Sequence, residues 1–129
     1  MIAFPLDHIG IVTGSISDAA GDYELLTGAP CSPIESLPKY GANVAFIGQI
    51  ELLEPLGTES TIGQFLSCHG PGLHHLAYRV PDIRILLETL RDQGLQLIDD
   101  KPKLGARGHL VAFVHPHSTG GVLWELVEG

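Results

Sequence analysis

A chain of 129 residues, 44% of them hydrophobic, is long enough to bury a core and too apolar to stay disordered. Its formal net charge of -8 argues against the basic surface of a nucleic-acid binder. No apolar run nears the roughly 18 residues of a membrane span, so neither nucleic acid nor membrane is expected as a partner.

The opening MIAFPLDHIG has no basic stretch leading into an apolar one, so a cytoplasmic location is expected. Residues 6–12, LDHIGIV, read as a first strand. A helix is predicted over 17–27, with Ser17 or Asp18 as N-cap and Gly28 as the stop. A weak strand and the run NVAFIGQIELLEP follow. Residues 57–71 read as a linker with one short helix near 61–68. A second strand-and-helix pair covers 74–80, HHLAYRV, and 82–93, ending at Gly94. Ile83, Leu86, Leu87 and Leu90 there share one helix face. LQLID, HLVAFVHP and GVLWELVE are the remaining strand-like runs.

The two halves repeat. LDHIGIV matches HHLAYRV, and IELLE (50–54) matches WELVE (124–128). The expected fold is therefore α+β: two tandem β-α-β-β-β modules, about 6–56 and 72–128, in one domain 1–129. Their curled mixed sheet would surround a cleft. The repeat brings four anchors to matched positions: His8, Glu51, His75 and Glu125. Both glutamates sit in apolar runs, where an inward carboxylate needs a partner. Two imidazoles and two carboxylates suit a divalent Zn, Co, Ni, Mn or Fe ion, with positions left open for substrate.

Three of the seven Lys and Arg residues, Lys101, Lys103 and Arg107, fall within seven positions. From 101 to 117 there is no acid, and His109, His115 and His117 add to the segment. It is a candidate anion-binding surface. Elsewhere the expectations are plainer. Cys31 and Cys68 fit no metal spacing and no disulfide framework. His69 reads as a loop residue, His109 and His115 as flanks of a strand, and Tyr23 and Phe113 as core.

LDHIGIV, IELLEPLGTEST, GPGLHHLAYRV, DDKPKLGARGHLVAFVHP and STGGVLWELVE together resemble the vicinal oxygen chelate superfamily, and within it methylmalonyl-CoA epimerase. That resemblance implies a metal held by His8, Glu51, His75 and Glu125, the same four anchors. Successive strand residues face opposite ways, so His74 would point away from the ion. The implied reaction moves the carbon-2 proton of methylmalonyl-CoA or a related acyl-CoA through an enolate chelated by the metal. Lys101, Lys103 and Arg107 would help hold the coenzyme A phosphates. A homodimer is also implied.

Three positions depart from the epimerase pattern. GANVAFI has Asn43 and Val44 and no acid, where some epimerases carry a glutamate proposed as a base; the base then falls to a metal-bound carboxylate, Glu51 or Glu125, or to a residue the sequence does not place. His117 stands where Lys is frequent, and Trp124 where a small aliphatic residue is usual; Trp124 is expected in the core or on a dimer face. The alternatives are a glyoxalase I-type lyase acting on a glutathione hemithioacetal, or a non-catalytic small-molecule-binding protein of the same fold.

Overall fold

The computed structural model describes residues 2–129. Contacts divide the chain into two compact units. One is Ile9–His74, and the other joins the chain up to His8 with His75–Gly129. The divisions fall at His8/Ile9 and His74/His75, and the 57–71 segment, much of it helical, packs within the Ile9–His74 unit.

The Ile9–His74 unit is built from β1 (Leu6–Val12, from Ile9 on), α1 (Ile16–Thr27), β2 (Glu35–Leu37), β3 (Ala42–Ile47), β4 (Ile50–Pro55) and α2 (Thr61–His69). Its strands run in the order β2-β3-β4-β1. β4 pairs parallel with β1 and antiparallel with β3, and Gly10 registers with Glu51. The cap of α1 is Ser15, not Ser17 or Asp18. Ser15 is extended and its hydroxyl accepts the Asp18 N–H at 3.2 Å, whereas Ser17 and Asp18 already lie in the first turn. Gly28 stops the helix as expected, in a left-handed conformation with φ 72° that favours glycine. Ile16, Ala45, Ile47 and Leu52 form the core, with Tyr23 packed against it.

The second unit repeats the plan with β5 (Gly72–Val80, from His75 on), α3 (Ile83–Asp92), β6 (Lys103–Leu104), β7 (Leu110–Val114) and β8 (Trp124–Glu128). The strand order is β5-β8-β7-β6. β8 pairs parallel with β5 and antiparallel with β7, and Ala77 registers with Glu125. Asp82 caps α3 by accepting the Ile85 N–H at 3.1 Å. The helix face expected from the sequence is the one that packs: Ile83 and Leu87 are buried with Val80, Ala112, Val114 and Leu126, flanked by Leu86 and Leu90. Each of the larger aliphatic side chains contributes about 1.5–3 kcal/mol when fully buried. Trp124 packs against this core and stacks on Tyr78 at 4.9 Å with rings 9° from parallel.

LQLID is not a strand. Leu97 makes one isolated bridge to Val114. Beyond it the Ile98 and Asp99 N–H groups converge on the Phe113 carbonyl, and the Asp99 carboxylate accepts the Phe113 N–H at 2.8 Å. A side chain thus takes the ladder position, the chain bends away, and β6 forms later at Lys103–Leu104. Fold class and module order match the α+β expectation. No helix among the described residues is long and apolar enough to cross a membrane.

Candidate metal centre

Among the described residues, the buried charged or polar side chains are His8, Glu51, His75 and Glu125, each between 3 and 8% exposed. They are the four anchors of the repeat. Both halves place them by the same rule. The residue two beyond each histidine registers with the glutamate of the neighbouring parallel strand: Gly10 with Glu51, Ala77 with Glu125. Residues two apart on a strand share a face, so each histidine and its glutamate face the same way.

In the second unit His8, His75 and Glu125 meet. His8 Nε2 lies 3.2 Å from His75 Nε2 and 3.0 Å from Glu125 Oε1. His75 Nε2 lies 3.3 Å from the same oxygen. The two rings stand edge to face, 84° apart. Donor atoms bound at about 2.0–2.1 Å from one ion stand roughly 3 Å apart, which is the spacing of this triangle.

Asp7 sets the chemistry of His8. Its Oδ2 lies 2.7 Å from His8 Nδ1 and accepts from Arg107 Nη2 at 2.7 Å. Burial pushes the Asp7 carboxyl up. The hydrogen bonds from His8 and Arg107, with the Arg107 charge, outweigh that and hold it below the ordinary carboxylate value. An ionised Asp7 can only accept, so His8 carries a proton on Nδ1, and Nε2 is the ring nitrogen aimed at the triangle. Two imidazole nitrogens and a carboxylate oxygen converge in a buried space, an arrangement that a cation would satisfy. The donor set fits a divalent metal, with Asp7 as the outer carboxylate that such histidines usually have.

The opposite orientation of His74 is also observed. Its ring meets Phe65 edge-on at 4.9 Å, and Phe65 stacks on His69 at 4.8 Å. His69 ends α2 rather than lying in a loop. Phe113 departs from its expected place in the core. It registers with Glu125 on the adjacent strand, so both side chains project to one face, and its ring stands edge-on to His75 at 5.8 Å.

The basic segment is partly engaged within the protein. Lys103 Nζ pairs with Asp99 at 3.0 Å and lies 5.7 Å over the Phe113 ring, Arg107 pairs with Asp7, and Lys101 is exposed. His109 Nδ1 contacts the Glu128 carbonyl, and His115 Nδ1 accepts the His117 N–H. Asn43 donates to Glu54 Oε2 at 3.0 Å, and Val44 is buried. Sequence reasoning missed Asp7 and Phe113 as neighbours of the cluster. Alternation sends Asp7 to the other face from His8, and only the bend of its short side chain back to Nδ1 brings it in.

Residues 7–113 match the glyoxalase/bleomycin resistance protein/dioxygenase superfamily. The chain belongs to that superfamily. An uncharacterized protein of Bacillus subtilis is 42% identical over 127 residues, 95% of this chain and 91% of its own length. The methylmalonyl-CoA epimerase of Dictyostelium discoideum is 37% identical over 128 residues, 95% of this chain and 77% of its own. The ethylmalonyl-CoA/methylmalonyl-CoA epimerase of Cereibacter sphaeroides is 36% identical over 129 residues, 95% of this chain and 96% of its own. Among solved structures, methylmalonyl-CoA epimerase from Mycobacterium tuberculosis superposes with a TM-score of 0.92 at 33% identity, covering 99% of this chain and 92% of that one. A single-residue variant of the Streptomyces coelicolor methylmalonyl-CoA epimerase, in complex with 2-nitronate-propionyl-CoA, superposes with a TM-score of 0.92 at 29% identity, covering 98% and 94%. The chain is an epimerase-like isomerase of this superfamily.

Proposed function

We propose that the protein is a metal-dependent epimerase of methylmalonyl-CoA or a close acyl-CoA such as ethylmalonyl-CoA. The observation that carries this reading is the buried triangle of His8 Nε2, His75 Nε2 and Glu125 Oε1. Glu51 supplies the fourth ligand; its burial and its register with Gly10, on the face His8 occupies, support that assignment. A divalent ion held there supplies Lewis-acid stabilisation of the negative charge that develops at the thioester oxygen.

The chain's own residues do the rest. His8 and His75 each present Nε2 to the triangle, where they would hold the ion. Glu125 and Glu51 are the acids and bases at hand, since the Asn43 and Val44 positions hold none. Either carboxylate would take or return the carbon-2 proton through one of its oxygens. Phe113 walls the cluster beside His75 and limits water there. Lys101 and Lys103 supply positive charge for the coenzyme A phosphates, Lys103 after exchanging Asp99 for the ligand.

The test is hydrogen exchange. Protein loaded with Co(II) is mixed with methylmalonyl-CoA in heavy water, and the carbon-2 proton is followed by NMR. The signal should disappear with the wild type and persist with His75→Ala and Glu125→Ala. Persistence with the fully metallated wild type would retire the epimerase reading and send the search to glutathione hemithioacetals.

A further inference from the structure

We infer that Arg107 is a positioning residue for the metal centre, acting on His8 through Asp7. The inference rests on the metal reading above. Arg107 and Asp7 are 100 residues apart in the chain, yet Nη2 donates to the same Asp7 oxygen that lies against His8 Nδ1, both at 2.7 Å. One oxygen therefore joins the guanidinium to the imidazole. The Asp7 side chain is nearly enclosed, which limits its alternative rotamers and partners.

The backbone at Arg107 shows that this contact is held against a cost. With φ 59° and ψ 18°, Arg107 is the residue other than glycine at positive φ among the described residues. Strain of this kind persists where the surroundings over-determine it, and it gathers at functional sites. The surroundings here are tight. Gly105 donates to the His109 carbonyl at 2.8 Å, and Gly108 and His109 close the turn onto Gly105 and Ala106. A Cβ on Gly105 would stand 2.8 Å from the Val111 side chain, so the turn is seated directly on β7. That seat aims Arg107 at Asp7. Without the guanidinium, Asp7 is free to rotate away from Nδ1, and His8 loses both its orientation and the tautomer that offers Nε2 to a metal.

The test measures Co(II) binding, by competition with a chelating dye and by the Co(II) absorption bands. The variants are Arg107→Ala, Arg107→Gly, Arg107→Lys, Asp7→Asn and the double variant Asp7→Asn/Arg107→Ala. Loss of an outer partner of a metal ligand typically weakens binding by about 10–100-fold. Asp7→Asn should fall in that range, and Arg107→Ala and Arg107→Gly should weaken binding by about 3–10-fold with shifted bands. Glycine accepts positive φ without strain, so Arg107→Gly separates loss of the guanidinium from misfolding of the turn. Arg107→Lys should recover part of the affinity. The double variant should be no weaker than Asp7→Asn, because the arginine acts on His8 through the aspartate. Wild-type affinity and bands in both Arg107→Ala and Arg107→Gly would overturn the inference, as would additive losses in the double variant. Wild-type protein that binds Co(II) no better than His8→Ala would remove the metal reading itself, and this inference with it.

Discussion

The carboxylate of Glu54 accepts the backbone N–H of Ile16, the first residue of α1, at 2.7 Å. Glu128 does the same for Ile83, the first residue of α3, at 3.1 Å. These are the second glutamates of IELLE and WELVE. Residues three apart on a strand face opposite sides, so in each unit the first glutamate turns away from the face that carries the helix and the second turns to it. In each copy of the motif, then, the second glutamate holds a helix start while the first is buried on the other face. Negative charge there meets the exposed N–H groups and the positive end of the helix.

Glu54→Ala should therefore cost about 2 kcal/mol, since it strands the Ile16 N–H and also frees the Asn43 amide that Glu54 Oε2 accepts at 3.0 Å. Glu54→Gln keeps an acceptor and should cost about half as much or less. Urea denaturation of the metal-free protein measures both. Co(II) affinity should be unchanged in each, and a loss of affinity matching the loss of stability would refute this division of labour.

The two adjacent histidines of β5 should separate cleanly. His75 joins His8 and Glu125 in the buried triangle, while His74 meets Phe65. His75→Ala should abolish stoichiometric Co(II) binding and proton exchange. His74→Ala should retain one metal per chain and cost about 0.5–1.5 kcal/mol, the scale of an aromatic pair. Metal analysis after dialysis, beside thermal melts, decides it. Equal metal loss in both variants would contradict the assignment of faces.

Much of this architecture was legible because the chain is duplicated. A single histidine in a strand says little, but His8 and His75 at matched positions, each answered by a glutamate in an apolar run, point to one buried cluster. The structure brings His8, His75 and Glu125 together there. What escaped was set by side chains that override strand periodicity. Asp99 takes the hydrogen bond that would have continued LQLID as a strand. Asp7 folds back onto the residue beside it. Phe113 looks like core in the run LVAFV, and only its register with Glu125 shows which face it occupies. The Arg107–Asp7 contact links residues 100 apart, so nothing local could announce it.

The two thiols should react at different rates. Burial, helped by the negative charge of Glu24, pushes the Cys31 thiol above its ordinary value, and its Sγ contacts the Ser32 carbonyl. The thiolate is the nucleophile, so a raised value means less of it at a given pH. Cys68 is exposed. Iodoacetamide near pH 8 should modify Cys68 first, and peptide mass mapping over time should show Cys31 lagging. Raising the pH should narrow the gap, because it increases the Cys31 thiolate. Equal labelling from the earliest time point would mean that the 31–32 segment opens freely.

Removing metal should weaken the fold as well as the activity. The His8, His75 and Glu125 atoms stand 3.0–3.3 Å apart in a buried space, and an ion held there would tie them together. A bound ion is taken up by the folded state and not by the unfolded chain, so saturation at 100 times Kd should add about 2.7 kcal/mol. For a domain of this size that is a rise of roughly 10 °C in Tm. The rise should grow with Co(II) concentration and vanish with excess chelator. His75→Ala should show no metal-dependent rise. Glu54→Ala should start lower yet rise by the same amount, because it weakens a helix start without touching the ligands. A metal-induced rise in His75→Ala equal to that of the wild type would place the ion elsewhere, and the buried triangle would then need another occupant, such as a shared proton.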